Sequence, residues 1–197
     1  MSDVLDEVRA RVREHFDRTG VAGEPVAASV TFLGADSIDV LRFGPDVDGT
    51  YHHVSLGCSR YPMLDPTAMI VDSVSGPRAE VVVSLLGSTP TGLARSIAIV
   101  AAAPAVEGLV LAPDALVDLE TPLWQGAPFT AMLLSASDID DVELPAPSDP
   151  VVLLSATPIT PTEAAWVRLK GAEAMREAWR TDGVDVRDPR RPAAQPR

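Results

Sequence analysis

The sequence has few of the residues from which disulfide frameworks and metal sites are built. Its 197 residues include one cysteine, Cys58, and three histidines. One cysteine excludes an intramolecular disulfide framework and is consistent with a reducing compartment. Aromatic residues make up 5% of the chain, while 46% of its residues are hydrophobic. We therefore expect a sizeable core built mainly from valine, leucine, isoleucine and alanine.

Long hydrophobic runs and a signal peptide are also missing. No stretch of about 18 consecutive apolar residues occurs, which argues against a membrane-spanning helix. The first residues, MetSerAspValLeuAspGluValArg, lack the basic and apolar regions of a secretion signal. These features predict a soluble, cytoplasmic protein with no membrane partner.

Positive charge is scarce as well. The chain has 16 Lys and Arg residues against 28 Asp and Glu residues, which gives a net charge of −12 at pH 7. Because this charge repels phosphate backbones, we expect no nucleic-acid partner. An acidic surface attracts basic partners, but it also has a simpler explanation, which is that it keeps the protein soluble.

The hydrophobic pattern predicts a single α+β domain with a mixed central β-sheet flanked by helices, and with amphipathic helices near both termini. We expect the domain to cover residues 1–192 and residues 193–197 to form a disordered tail. The opening helix covers residues 2–18, whose apolar face is formed by Val4, Leu5, Val8, Val12 and Phe16. The predicted strands are residues 26–33, 38–43, 51–56, 79–86, 109–111, 129–135 and 151–156. Residues 60–78 are expected to form a long connection.

Two further helices are predicted from capping signals. Thr91 is positioned to cap an apolar helix that ends before Pro104. The last helix begins with a capping box in which Thr160 is the cap and Glu163 lies three residues later, and it is expected to continue to Gly183. Its buried face is predicted to contain Ala165, Leu169, Ala172 and Trp179.

Three motifs give the chain a family resemblance. The first is TyrHisHisValSerLeuGlyCysSer at 51–59, and the second is GlyProArgAlaGlu at 76–80, which leads into a predicted strand. The third is ProIleThrProThrGlu at 158–163, and AspProArgArgPro at 188–192 follows it later in the chain. In this order and spacing they resemble the suppressor of fused domain, in its stand-alone bacterial form. The family pattern has an aromatic residue followed by His-Tyr, so His53 departs from it.

The resemblance implies a non-catalytic protein-binding role with no cofactor. Animal members of the family restrain a transcription factor by gripping a peptide as an added strand, and bacterial members are thought to include immunity proteins that neutralise a toxin domain. A partner protein or peptide, basic or part of a toxin, is therefore expected. The resemblance places partner binding at Tyr51, His52, His53 and Glu80, with a structural role for the last three as the alternative.

A second hypothesis is a hydrolase or small-molecule-binding protein with a site near His52, His53 and Glu80. It predicts a concave pocket that converges on these side chains and a perturbed histidine pKa. The two histidines are adjacent on a predicted strand, so their side chains should point to opposite faces, which argues against a shared metal ion. No nucleophile motif accompanies them. The binding module is thus the favoured prediction.

Two charged segments need a separate explanation. Asp138, Asp140, Asp141 and Glu143 lack the glycine and terminal glutamate of a calcium-binding loop, so we expect a solvated loop and no metal site. Near the C-terminus, Arg190 and Arg191 are expected to pair with acidic groups elsewhere on this negative molecule.

Overall fold

The computed structural model describes residues 3–21, 23–64, 67 and 74–194. Within these residues the chain forms one seven-stranded mixed sheet with the strand order β1-β2-β3-β4-β7-β6-β5. The strands are β1 (Val26–Phe32), β2 (Ala35–Phe43), β3 (Thr50–Leu56), β4 (Arg78–Leu86), β5 (Leu116–Asp118), β6 (Ala131–Ala136) and β7 (Val151–Ile159). The helices are α1 (Val4–Arg18), α2 (Leu93–Glu107), α3 (Pro161–Lys170) and α4 (Ala172–Asp182), with a short 3₁₀ turn at Cys58–Arg60. The predicted α+β class is confirmed.

The sheet is antiparallel except at its centre, where β4 and β7 pair in parallel. The parallel pair requires a crossover, and the chain between β4 and β7 supplies it with α2, β5 and β6. Strand β4 is buried along most of its length. This agrees with its apolar sequence and with the prediction that it lies near the centre of the sheet.

Helices cover both faces of the sheet. Helix α2 packs on one face, and its buried residues join the largest apolar cluster. Helix α1 covers part of the opposite face through Val8, Val12 and Phe16, which recur at helical spacing as predicted. Helices α3 and α4 cover the remainder of that face around β6. Each face of the central strands is therefore buried.

The N-terminal predictions agree with the structure. Helix α1 begins after Asp3, whose carboxylate accepts the backbone N–H of Leu5 at 3.3 Å. Strands β1 and β2 form the predicted hairpin, although β2 begins earlier than expected, at Ala35. The predicted strands at 51–56 and 79–86 are found with boundaries shifted by one residue. Part of the connection predicted at 60–78 lies outside the described residues.

The helix predicted to end before Pro104 continues to Glu107, so that prediction was wrong. Only the last turn follows the proline, and the N–H of Gly108 closes it on the carbonyl of Pro104 at 3.2 Å. A proline this close to the end costs few backbone bonds. The cap position is Gly92, with no side-chain hydrogen bond, rather than Thr91.

The strand predicted at 109–111 is absent from the described structure, and the corresponding strand is β5. Leu111 is buried in the core, but its N–H bonds the sulfur of Met63 at 3.2 Å instead of a neighbouring strand. The apolar residues at this point therefore form a buried connection. Strand β6 begins two residues later than predicted, after Phe129 and Thr130.

The last predicted helix is two helices separated at Gly171. This residue has φ 91° and ψ 165°, which breaks the helical path and is accessible to glycine. The break changes the buried face, so Ala165 is exposed and the Leu169 side chain is 73% exposed, contrary to prediction. Ala164, Val167 and Met175 are buried instead, while the predicted burial of Ala172 and Trp179 is confirmed.

The segment after α4 crosses the sheet end and then packs against α3. The N–H of Leu86 donates to the carbonyl of Arg187 at 2.9 Å. Farther along, Ala194 is buried and its N–H donates to Glu163 at 3.0 Å. Residues 195–197 of the predicted tail lie outside the described residues, and the domain boundary at 192 stays a prediction.

Candidate functional site

Strand β3 directs the histidines of the first motif to opposite faces of the sheet. His53 pairs with Arg42 on β2 and Val83 on β4, and their side chains share the face covered by α2. His52 pairs with Phe43 and Ser84 on the face covered by α1. The sequence-based expectation that the two imidazoles diverge agrees with this register.

His53 is a buried, neutral histidine, with 1% of its surface exposed. Its Nδ1 lies 3.3 Å from the carbonyl oxygen of Val83, which can only accept, so Nδ1 carries the proton. Its Nε2 then accepts the hydroxyl of Thr89 at 3.0 Å. Burial lowers the pKa of His53 to about 4, and the positive charge of Arg42 acts in the same direction.

Tyr51 lies on the same face as His53 and keeps part of its surface exposed. The guanidinium of Arg42 sits above its ring, 5.4 Å from the centroid, and also donates to Thr89 at 3.4 Å. Arg42 forms no ion pair with any residue that the structure describes. We call Arg42, Tyr51 and Thr89 the Arg42 patch.

His52 is half-buried and held from both ends of its ring. Its Nδ1 lies 2.8 Å from the hydroxyl of Ser84, and its Nε2 lies 3.3 Å from a carboxylate oxygen of Asp46. The ring also packs on Phe16 of α1, with centroids 4.9 Å apart. Burial lowers the pKa of His52, although the carboxylate of Asp46 opposes this effect.

Asp46 is in turn fixed by its own loop. Burial acts to raise its pKa, but its other oxygen accepts the N–H groups of Asp48 and Thr50, both at 2.9 Å, and the net effect is a lowered pKa. The acid therefore stays ionised and holds the imidazole of His52 in place.

Ser84, His52 and Asp46 thus follow the order of a nucleophile, base and orienting acid. The ring of His52 is covered by Phe16, and Ser84 lies within a strand rather than on a sharp strand-to-helix turn. None of the three residues lines the three best-formed grooves among the described residues. The array has the order of a triad but lies outside these grooves.

Glu80 lies in the interior, with none of its surface exposed. Its carboxylate accepts hydrogen bonds from the hydroxyl of Ser55, the N–H of Gly57 at 2.8 Å, and both the N–H and hydroxyl of Ser59 at 2.9 and 2.7 Å. These donors are the serines and glycine of the first motif. Glu80 therefore joins the second motif to the first and shapes the turn after β3.

Gly57 is required by this turn. Its φ is 149°, and a Cβ added at this position would meet the Cδ1 atom of Ile38 at 2.8 Å. A side chain at residue 57 would therefore clash with β2 and strain the backbone. The motif Ser-x-Gly-x-Ser is a structural requirement of the contact with Glu80.

A second buried carboxylate organises the last motif. Glu163 forms the predicted capping box, in which its N–H donates to Thr160 Oγ1 at 3.2 Å and its carboxylate accepts the N–H of Thr160 at 2.9 Å. It also accepts the indole N–H of Trp179 at 3.0 Å. The sequence predicted the capping box but gave no sign of this tertiary contact.

Arg191 completes this cluster through two contacts with Glu163, at 2.7 and 3.1 Å. The expected pairing of Arg191 with an acidic group is thus confirmed, whereas Arg190 makes only a local contact with Asp188 at 3.9 Å. Burial acts to raise the pKa of Glu163, but Arg191 and the other donors lower it. A bidentate pair of this kind is strong once it is desolvated.

The four residues predicted to bind a partner do not converge on one pocket. Tyr51 and His53 face α2, while His52 faces α1. Ser84 is the strand partner of His52, and Glu80 lies four residues from Ser84 on β4. Glu80 is therefore about 13 Å from the level of His52 along the strand. Tyr51 and His52 keep some exposed surface, and His53 and Glu80 keep almost none.

A sizeable groove lies elsewhere among the described residues, between the β1–β2 turn, residues 57–64 and the end of α2. It has a volume of about 670 Å³ and includes Asp36, Cys58, Tyr61 and Ala105 in its lining. Burial, aided by the nearby Glu80, raises the pKa of the Cys58 thiol well above its usual range. A raised pKa keeps the thiol protonated near neutral pH, which lowers its nucleophilicity.

The acidic loop behaves as a surface segment among the described residues. Asp140 lies 3.5 Å from Arg18 and 3.9 Å from Arg11, and Asp138 lies 3.8 Å from His15. No group of three potential metal ligands occurs in the described part of the chain. Likewise, none of its described helices is long and apolar enough to cross a bilayer.

The fold and these two interior clusters define a class, a single-domain α+β protein in which motif residues form internal hydrogen bonds. The sequence profile described as "Suppressor of fused protein (SUFU)" matches residues 34–192. The chain belongs to the suppressor of fused family. A comparison with curated protein sequences finds no significant match.

Solved structures show the same fold at low sequence identity. A protein described as a suppressor of fused homologue from Neisseria gonorrhoeae matches with 16% identity and a TM-score of 0.68, over 98% of this chain and 97% of its own. A chain from the crystal structure of a Sufu–Fu complex matches with 13% identity and a TM-score of 0.68, over 98% and 92%. Drosophila Suppressor of Fused matches with 14% identity and a TM-score of 0.70, over 98% of this chain and 51% of that protein.

Proposed function

We propose that this chain is a non-catalytic, cytoplasmic protein-binding module that holds one partner protein. The observation that carries the proposal is its membership of the suppressor of fused family, together with the full-length likeness to a chain solved in a Sufu–Fu complex. The interior contacts of His53 and Glu80 agree with this role, because they leave both side chains engaged in folding.

The partner surface that we propose is the Arg42 patch, which contains Tyr51; His52 lies on the opposite face of the sheet. Tyr51 supplies aromatic area, and Arg42 supplies a cation that no described acid neutralises. Both residue types are favoured where binding energy is concentrated. In this proposal Tyr51 contacts the partner, while His52, His53 and Glu80 position the strand that presents it.

The class of partner follows from the charge of the whole chain. A net charge of −12 favours association with a basic protein and suppresses binding to other acidic proteins. We propose that the partner is basic and that the chain acts as an immunity-type inhibitor of a toxin domain or as a regulator that sequesters its target. Such a complex is stable and shows no turnover.

Affinity capture from the native cell tests this proposal. Tagged protein should retain one stoichiometric partner at moderate salt, identified by mass spectrometry. Arg42→Ala and Tyr51→Ala should each reduce retention by about tenfold or more, as expected for central contact residues. Lys170→Ala is the matched control, because Lys170 is an exposed cation on α3. Equal retention by all variants would show that the partner binds outside the Arg42 patch.

A further inference from the structure

The two edges of the sheet are protected to different degrees. Strand β5 is three residues long, and Asp118 at its end pairs with Arg168 at 2.6 Å. Strand β1 is seven residues long, ValAlaAlaSerValThrPhe, and contains no charge and no proline. Short length and charge are the usual protection of an edge, and β1 has neither.

The open edge of β1 offers backbone groups to another strand. Within the described chain, β1 pairs with β2 on one side only. Its first four residues are exposed, and Val26 is 57% exposed. Val30 and Phe32 pack partly against the cluster beneath α2, so the main core reaches this edge. A strand added here would extend both the hydrogen-bond ladder and the core.

We propose that β1 pairs with β1 of a second copy of this chain, antiparallel and centred on Ser29, to form a two-fold symmetric dimer. In this register Val26 faces Phe32 and Ala28 faces Val30, all on the α2 side of the sheet. Ala27 faces Thr31 on the other side, and Ser29 faces itself. Apolar residues meet apolar residues and no charges are opposed, which is the self-complementarity that a two-fold interface requires.

The charges around β1 are compatible with this contact despite the negative charge of each copy. Asp39, beside Ser29, accepts its hydroxyl at 2.6 Å and lies 4.0 Å from Arg9. Glu24, which precedes the strand, pairs with Arg13. The irregularity of the β1–β2 pairing lies between Val30 and Phe32, at one end, so the central residues keep a regular ladder. More distant charges are screened beyond about 8 Å at physiological salt.

The dimer does not rest on the partner surface proposed above, although the two surfaces adjoin. We infer that a second copy of the chain pairs with the β1 edge, because apolar residues of β1 face one another when the strand pairs antiparallel with itself. The Arg42 patch lies at the Val26 end of the hairpin, since Arg42 pairs with Val26. The two proposals are tested separately. Partner capture uses variants of Arg42 and Tyr51, whereas the dimer is tested by cross-linking and sedimentation of the purified protein.

Cysteine cross-linking tests the register directly. Ser29→Cys places two thiols opposite each other, within the Cα separation of about 7 Å that a disulfide allows. Ala27→Cys is the matched control, because its two copies would lie four residues apart, or about 13 Å. Under mild oxidation, Ser29→Cys should form covalent dimer at least about tenfold faster than Ala27→Cys. Both variants keep the native Cys58, whose thiol pKa is raised, so its contribution is common to the two rates. Equal rates would overturn the proposal.

Sedimentation of unmodified protein gives the second test. The native chain should be a dimer at micromolar concentration. Ala28→Lys should be a monomer, with the melting temperature that the native chain shows at a concentration too low for association. Leu169→Lys, which adds the same charge at an exposed site on α3, should remain a dimer. Each lysine reduces the net negative charge, so general repulsion cannot explain a loss of dimer. A native monomer, or a dimer that persists in Ala28→Lys, would overturn the proposal.

Discussion

The motif residues and the edge strand β1 differ in what they contribute. Glu80 and Glu163 are both fully buried. Glu80 accepts hydrogen bonds from residues of the first motif, and Glu163 accepts them from its own motif and from the C-terminal segment. Strand β1 has no motif residue and no buried polar cluster, but most of its residues are exposed. Glu80 and Glu163, which belong to the family motifs, thus stabilise the interior. The exposed edge of β1 contains no family motif.

The two glutamates also differ from each other. Glu163 faces Arg191, so its charge is neutralised by a cation. Glu80 receives only serine hydroxyls and backbone N–H groups, and no described cation pairs with it. One cluster is an ion pair and the other is a hydrogen-bonded anion. Breaking each should therefore have a different cost.

The largest effect is expected for Arg191→Ala. This change leaves the carboxylate of Glu163 buried without its cation, which typically costs about 3–5 kcal/mol of unfolding free energy. Arg190→Ala is the matched control, because the Arg190 side chain is 92% exposed and should change stability by less than about 0.5 kcal/mol. Urea denaturation of both variants measures the difference. Equal stability would show that the C-terminal segment is not held by Arg191.

The next effect is a loss of stability at acid pH caused by His53. Its pKa is about 4 in the folded state against 6.5 for the free side chain, so the unfolded chain binds the proton first. Stability is therefore complete above pH 6.5 and falls as the pH drops toward 4, by up to about 3 kcal/mol. His52, whose pKa is also lowered, contributes in the same direction.

Unfolding measured at several pH values between 7 and about 4.5 tests this prediction. Glu163 and Asp46 contribute mainly below this range, because their lowered pKa values start from 4.5 and 3.8. His53→Gln should flatten the pH dependence in the window. An unchanged slope in His53→Gln would contradict the buried, neutral state assigned to this imidazole.

A smaller effect is expected for Glu80→Gln. The amide keeps one acceptor oxygen but turns the other position into a donor, which faces the N–H and hydroxyl groups around residues 55–59. Leaving such groups without acceptors costs about 1–3 kcal/mol. Glu143→Gln, on the exposed acidic loop, should be neutral. If both changes have the same effect, the turn after β3 does not depend on Glu80.

The smallest effect on stability is expected at the edge strand. Ala28→Lys changes an exposed residue of an edge strand, so the unfolding free energy should change by less than about 0.5 kcal/mol. Thermal unfolding at a protein concentration low enough to avoid association measures it. A loss as large as that of Glu80→Gln would remove the contrast between a structural interior and a free edge.

Local patterns in the sequence predicted much of the fold. The spacing of Val8, Val12 and Phe16 specified α1, and the capping box at Thr160 specified the start of α3. The break at Gly171 was missed because the flanking residues favour a helix on both sides. The strand predicted at 109–111 was wrong because an apolar run does not distinguish a strand from a buried connection.

The tertiary contacts of the candidate site had weaker signals. A single carboxylate in the apolar strand around Glu80 indicates a buried, fully bonded group, and the serines of the first motif could have been proposed as its donors. The pairing of Arg191 with Glu163 spans 28 residues, and nothing local selects this arginine over its neighbour Arg190. Only the packing of the C-terminal segment decides between them.

The measurement that tests the central claim most directly is partner capture by the native chain, by Arg42→Ala and by Glu80→Gln, at matched folded concentrations. The account predicts one stoichiometric partner, lost with Arg42→Ala and retained by the folded fraction of Glu80→Gln. Retention by Arg42→Ala with loss in folded Glu80→Gln would contradict it, because the interior motif would then bind the partner. Capture of nothing by the native chain would contradict the binding role itself.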